Sequence, residues 1–384
     1  MTKKLFYQDS HLTEFEAVVL SCELEKDAYQ VVLDQTAFFP EGGGQYADTG
    51  WLDETEILDV HEKQDVIYHK TTAPLEVGKT VKGKIRWEER FEKMQQHSGE
   101  HIVSGIVHER FGYDNVGFHL GSDYCTMDFN GPLTQEELKE VELAANRAVF
   151  ENLKIQVTYP AKEELAQMEY RSKIEIDGQV RIVTVPGYDV CACCAPHVNQ
   201  TGEIGLIKLV NMVNYKGGER ITMLCGFRAL RDYDKKDANG KEISRLLCAK
   251  ELEIAEAVEH LKEEQGSLKG KVASMQQQMM QYRATEITVD QEMTLVFDSE
   301  LTGNGPRELM NLLLEKGARI CTVFAGDDQN GYRYVMGSQT EDVRPIAKKM
   351  NDVFAGRGGG KPAMVQGTVN ASEEEIRAMF DEEV

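Results

Sequence analysis

The sequence predicts an α+β protein of several domains. Three observations carry that reading. The chain has 384 residues, more than one hydrophobic core usually organises. Up to about residue 86 its apolar runs are short and β-like, whereas 87–111, 134–152 and 243–282 carry helical periodicity. Strand and helix signals then alternate again from about residue 287. The domains expected are a β-rich, barrel-like one over 1–86, a metal-bearing α+β one over 87–232, a helical spacer over 233–286, and an α/β one over 287–384.

Taken in order, 17–20, 29–33, 66–69 and 81–85 read as strands separated by Gly, Asp and Pro signals. From Trp87 to Phe111 a stripe of Met94, His97, Ser98, His101, Ile102, Gly105 and Ile106 predicts a helix facing the core. Thr134-Gln135-Glu136-Glu137 has the form of a capping box, so a second helix starts there and runs to about Asn152. Runs at 155–158, 182–185, 207–210 and 220–224 are the strands that complete this part, which ends near Leu230.

A heptad can be written through Leu247, Ile254, Leu261, Leu268, Met275 and Tyr282, with Val258, Val272 and Met279 at the other seam position. Glu251 and Gln265 interrupt it. Gly266 and Gly270 each weaken a helix by about 1 kcal/mol relative to Ala. The segment therefore reads as a spacer forming a hairpin or a dimer contact, or as an amphipathic linker packed on its own domain. Beyond it, 294–297, 320–324 and 332–336 read as strands and 306–316 and 343–354 as helices. The last domain closes on the glycine-rich run Gly356-Arg357-Gly358-Gly359-Gly360-Lys361-Pro362.

Composition narrows the function. Hydrophobic residues make up 41%, charged residues 28% and aromatics 8%, a soluble globular balance. No apolar run follows the N-terminal lysines and no window is long enough to span a membrane, which points to a cytoplasmic protein. Eight cysteines, three of them crowded at Cys191, Cys193 and Cys194, suit metal binding or free thiols better than a disulfide framework. The net charge of −22 argues against a passive nucleic-acid binder, because phosphate affinity comes from Lys and Arg. An acidic enzyme that holds RNA needs a local basic patch.

His97-Ser98-Gly99-Glu100-His101 puts two imidazoles one turn apart on the same helix face, a zinc half-site. About ninety residues later, Cys191-Ala192-Cys193-Cys194-Ala195-Pro196-His197 supplies a thiolate and an imidazole. Together they offer a His, His, Cys, His set suited to tetrahedral Zn²⁺. Cys191 and Cys194 read as buried small side chains. Glu100, held on the metal helix, reads either as a general base or as a solvated residue or partner of a ligand imidazole.

Thr36-Ala37-Phe38-Phe39-Pro40-Glu41-Gly42-Gly43-Gly44-Gln45, followed by Asp48-Thr49-Gly50, resembles the Gly-Gly-Gln segment of the alanyl-tRNA synthetase editing domain and of its freestanding relatives, the AlaX-type trans-editing proteins. The His97/His101 and Cys193/His197 pairs fall in that family's order of zinc ligands, and the closing glycine run resembles the signature of its C-terminal domain. The resemblance spans nearly the whole chain. Two positions depart from it: Cys194 and Ala195 stand where glycines are usual, and Glu100 where a small hydroxylic residue is common.

The resemblance implies one Zn²⁺ per chain on His97, His101, Cys193 and His197. It also implies substrate contacts from Thr36, Gly43, Gly44 and Gln45, and tRNA contacts from Arg357 and Lys361. The reaction it implies is hydrolysis of the ester joining an amino acid to the terminal ribose of mischarged alanine tRNA, serine favoured and glycine next. Such an ester needs only an oriented water, a Lewis acid and a few hydrogen bonds. With no aminoacylation domain ahead of the editing region, the chain is expected to act in trans, alone or as a homodimer through the spacer or the last domain.

Two rivals compete. His97-x-x-Glu100-His101 also spells an inverted zinc-peptidase motif, which needs a distant carboxylate ligand and leaves Cys193, His197 and the glycine turn unexplained. A noncatalytic RNA-binding or assembly protein with structural zinc is the other, and the acidic charge weighs against it.

Overall fold

The computed structural model describes residues 1–172 and 179–381. Its class is α+β, and the chain divides into two compact units, Met1–Glu242 and Ile243–Val384.

The first unit opens with β1 (Lys3–Lys4), β2 (Glu14–Glu25), β3 (Ala28–Leu33), β4 (Gln35–Thr36), β5 (Gly50–Leu52), β6 (Thr55–Lys63), β7 (Val66–Thr71) and β8 (Thr80–Ile85). Six of these pair antiparallel in the order β2-β3-β7-β6-β5-β8, and β8 returns to β2, so no edge is left among them. Side chains alternate as a curled sheet requires: in β8, Val81, Gly83 and Ile85 face in while Thr80, Lys82 and Lys84 face out. Phe15, Val31, Leu33, Phe38, Leu52, Ile57 and Ile67 fill the interior.

Helix α1 (Trp87–Phe111) follows. The apolar stripe predicted one buried face, but residues 94–107 are buried on every side. The buried polar residues are tolerated because they are paired. Gln96 holds both backbone groups of Cys225, at 2.7 and 2.9 Å, and the Gln95 amide donates to the Glu203 carbonyl. At the start of the helix, the buried Arg90 guanidinium donates to Asp48 and to the Ala37 and Ser10 carbonyls, tying α1 to the segment that carries the glycine turn.

The unit continues through β9 (Asn115–Leu120), β10 (Cys125–Phe129), α2 (Gln135–Glu151), β11 (Gln156–Thr158), α3 (Lys162–Leu165), β12 (Ile182–Val185), β13 (Asp189–Ala192), β14 (Ile207–Tyr215) and β15 (Gly218–Cys225). These strands form a four-stranded antiparallel sheet, β14-β15-β10-β9, and a three-stranded one, β11-β12-β13. Both α1 and α2 share a core with the larger sheet. The Thr134 box forms as expected, the hydroxyl accepting from Glu137 N–H and the Glu137 carboxylate accepting from Thr134 N–H. The boundary between the units falls within α4 (Gly226–Leu247).

In the second unit, α5 (Ile254–Glu286) runs unbroken through Gly266 and Gly270. The predicted heptad is instead cut before α5, around Glu251, where a 3₁₀ turn intervenes. Leu261, Leu268, Val272, Met275, Met279 and Tyr282 are all more than half exposed, so the seam is not packed on its own domain. There follow β16 (Met293–Phe297), α6 (Gly305–Glu315), β17 (Ile320–Asp327), β18 (Gly331–Ser338), α7 (Arg344–Val353), β19 (Arg357–Lys361), β20 (Met364–Val369) and α8 (Glu373–Asp381). The sheet order is β16-β17-β18-β20-β19, with only β16 and β17 parallel. The glycine-rich run on which this domain closes, given no secondary structure from the sequence, is the edge strand β19, its residues paired with β20. Among the described residues no helix is long and apolar enough to cross a membrane.

Candidate metal centre

The two sequence motifs meet. Ligand atoms of His97, His101, Cys193 and His197, all four buried in their surroundings, lie within 4.8 Å of one another. Cys193 Sγ is 3.5 Å from His97 Nε2 and 3.4 Å from His197 Nε2. Tetrahedral zinc, with bonds of about 2.0–2.1 Å to nitrogen and about 2.3 Å to sulfur, has N···S edges of about 3.6 Å. The spacing fits that ion.

The tautomers fit as well. His97 Nδ1 lies 3.1 Å from Gln45 Oε1, His101 Nδ1 2.8 Å from Asp189 Oδ2, and His197 Nδ1 3.1 Å from Ser98 Oγ. Ser98 Oγ also accepts from Val198 N–H. With Nδ1–H donated outward, each ring presents a bare Nε2 to the cluster, the arrangement that metal-binding histidines use. Burial pushes the His197 imidazole down to about 3, against the opposing pull of the Cys193 sulfur. Burial alone pushes the Cys193 thiol up, but the facing His97 and His197 pull it well below the usual thiol value, toward the thiolate that zinc needs.

Cys191 and Cys194 behave differently: burial pushes the Cys191 thiol up to about 11, whereas Cys194, read from the sequence as a buried side chain, is exposed. Cys194 belongs to neither His/Cys group found among the described residues. Cys191 forms a second group with His101 and Asp189. There the Arg171 guanidinium forks onto Asp189 at 2.7 and 2.9 Å, placing a fixed positive charge on the carboxylate.

The Cys193 loop is held by Arg181, whose Nη1 donates to the Cys193 and Ala195 carbonyls at 2.8 and 3.0 Å while its own carbonyl accepts from Cys193 N–H. The helix side is set by Gly105. A Cβ there would lie 2.1 Å from the Tyr188 carbonyl, so only glycine lets α1 approach the hairpin that carries Asp189 and leads to Cys193.

Beside the cluster, Gly42 and Gln45 exchange backbone hydrogen bonds around Gly43 (φ 61°) and Gly44 (φ 80°), a two-residue turn with both central residues left-handed. A Cβ on Gly43 would sit 3.1 Å from Cys194 Sγ and 4.0 Å from His97. Gln45 is fully buried, its carbonyl side toward His97, and its Nε2 meets no acceptor among the described residues. Thr36 lies inside the barrel. The His69 Nδ1–H donates to Val31 O, which leaves His69 Nε2 to accept from the Thr36 hydroxyl at 2.9 Å, and Thr36 Oγ1 accepts from Phe38 N–H. Its one polar group is thereby committed. Glu100 is buried, with Oε1 accepting from Ser104 and Asn115 and Oε2 3.9 Å from His101 Nε2.

In the second unit Arg357 and Lys361 stand at the ends of β19, both exposed. Arg357 pairs with Thr368, and Thr368 with Arg333. The row Arg333–Thr368–Arg357 borders a cavity of about 610 Å³.

Sequence reasoning missed Ser98, Asp189, Arg171 and Arg181 as parts of the site. Asp189 carried a signal: it alternates with Cys191 on the buried face of a strand. Arg171 and Arg181 lie outside both motifs and carried none.

Residues 180–246 match the family model of the threonyl and alanyl tRNA synthetase second additional domain, and residues 5–89 that of class II (A) tRNA synthetases. The chain is 27% identical to alanyl-tRNA editing protein AlaX-L of Pyrococcus horikoshii, covering 98% of this chain and 96% of that one. It is equally similar to alanyl-tRNA editing protein Aarsd1 of Rattus norvegicus, over 99% and 98%. An alanine–tRNA ligase of Pyrococcus abyssi is 29% identical over 96% of this chain but only 42% of its own. Over nearly its whole length the chain is thus similar to alanyl-tRNA editing proteins.

Proposed function

We propose that the chain is an aminoacyl-tRNA deacylase that hydrolyses mischarged alanine tRNA in trans, with serine as the favoured amino acid and glycine next. The observation that carries the reading is the convergence of His97, His101, Cys193 and His197 beside the Gly43–Gly44 turn. That convergence also disfavours the peptidase reading: the nearby carboxylate, Asp189, is taken by His101 Nδ1 and Arg171.

The four residues would hold one Zn²⁺, which would supply a Lewis acid for the ester. The glycine turn lets substrate backbone or ribose come close, and the unpartnered Gln45 Nε2 offers it a donor. Glu100, with one oxygen fixed by Ser104 and Asn115 and the other on the side of His101 Nε2, takes the role of base toward water in this reading. Thr36 acts at one remove, holding the segment that leads to the turn. Arg357, with Arg333 in the same row, and Lys361 at the other end of β19 supply local positive charge for the tRNA backbone on an otherwise acidic chain. For a homodimer, the exposed α5 seam is the surface on offer.

His97→Ala and Cys193→Ala should each abolish deacylation in a chain that remains folded. Full activity in either, measured on metal-depleted protein, would overturn the zinc assignment.

A further inference from the structure

The three imidazoles are not held alike. His97 is backed by the neutral amide oxygen of Gln45 and His197 by the neutral hydroxyl of Ser98, whereas His101 alone is backed by a carboxylate. That carboxylate is itself fixed. Arg171 Nε donates to Asp189 Oδ1 at 2.7 Å and Arg171 Nη2 to Oδ2 at 2.9 Å, and Oδ2 also accepts from His101 Nδ1–H at 2.8 Å. A two-pronged contact of this kind sets the plane of the carboxylate as well as its position. Arg171 in turn cannot drift: its backbone N–H donates to Val190 O and its carbonyl accepts from Ala192 N–H, so it lies as an extra rung along β13.

We propose that Asp189, clamped by Arg171, is a positioning residue that makes His101 the most strongly held imidazole of the metal centre. The carboxylate fixes the ring's rotation and tautomer and adds negative charge behind it, so Nε2 donates more strongly to an ion. Because Asp189 is 6% exposed and hydrogen-bonded on both oxygens, solvent does not dilute that charge. The centre is then graded, with His101 as its anchor and His97 and His197 held by weaker partners. A catalytic zinc needs such a gradation, since one position must open while the ion stays.

This inference rests on the metal reading above, and one experiment separates the two. The full chain is stripped of metal, and its zinc affinity is measured by competition with a chromophoric chelator, with unfolding of the metal-free protein followed in parallel. Asp189→Asn keeps the shape and removes the charge; its zinc affinity should fall about 10- to 100-fold. Ser98→Ala, which removes the neutral partner of His197, should lose less. If Asp189→Asn does not fold, Arg171→Gln replaces it, and a loss of several-fold is expected. A purely structural role would lower the stability of the metal-free protein and leave zinc affinity alone. Unchanged affinity in the folded variants, or an equal loss in Ser98→Ala, would overturn the proposal. A wild-type chain that binds no zinc would overturn the metal reading itself.

Discussion

Gly105→Ala is the sharpest test of how the two halves of the metal centre are brought together. The added methyl would sit 2.1 Å from the Tyr188 carbonyl oxygen and 2.9 Å from Asp189 Cβ. Because the first obstacle is backbone, the β12–β13 hairpin has to move away from α1 by about 1 Å to restore an ordinary contact. Overpacking of this kind costs about 3 kcal/mol at the upper end of its usual range, and replacing a helical glycine by alanine returns about 1 kcal/mol. The net loss is about 2 kcal/mol, equivalent to about 4–8 °C in a unit of this size. Zinc affinity should suffer as well, since a shift of about 1 Å far exceeds the roughly 0.2 Å tolerance of ligand distances. Thermal unfolding and chelator competition read the two effects. A Gly105→Ala protein with wild-type melting and wild-type zinc affinity would refute the close approach.

Three further outcomes are expected. Gly270→Ala should stabilise α5 by about 1 kcal/mol, because a Cβ there meets nothing within 4 Å; chemical denaturation of the second unit's transition reads it. Arg90→Met should cost about 3–5 kcal/mol by leaving Asp48 buried without its partner, seen as a lower denaturation midpoint. Burial holds His69 down to about 4, below the ordinary value of about 6.5 that it has when unfolded. The folded state then binds fewer protons, so the stability His69 contributes is complete above about pH 6.5 and falls by about 3 kcal/mol as pH drops to 4. In His69→Asn the gap to wild type should narrow over that window; a constant gap would mean that His69 does not titrate there.

Much of this was legible in the sequence because local chemistry and tertiary structure agree. Thr134 and Glu137 define their helix start by themselves, and the alternation of Val81, Gly83 and Ile85 announces a strand with one buried face. The His97/His101 spacing needed only helix geometry. Other features depend on partners that spacing does not encode. Residues 94–107 read as one stripe because Gln95 and Gln96 look solvent-facing until their distant acceptors are known. The run 357–361 gave no strand signal because its glycines have low strand propensity, and only its pairing with β20 makes it an edge strand. Arg171 and Arg181 act on the site through contacts set by the hairpin.

The measurement that tests the account most directly is release of labelled serine from serine-charged alanine tRNA, beside correctly charged alanine tRNA, with and without prior chelation of zinc. Rapid release of serine and not alanine, lost on chelation and regained when zinc is restored, is the predicted result. No release from any aminoacyl-tRNA by the zinc-loaded chain would contradict the account.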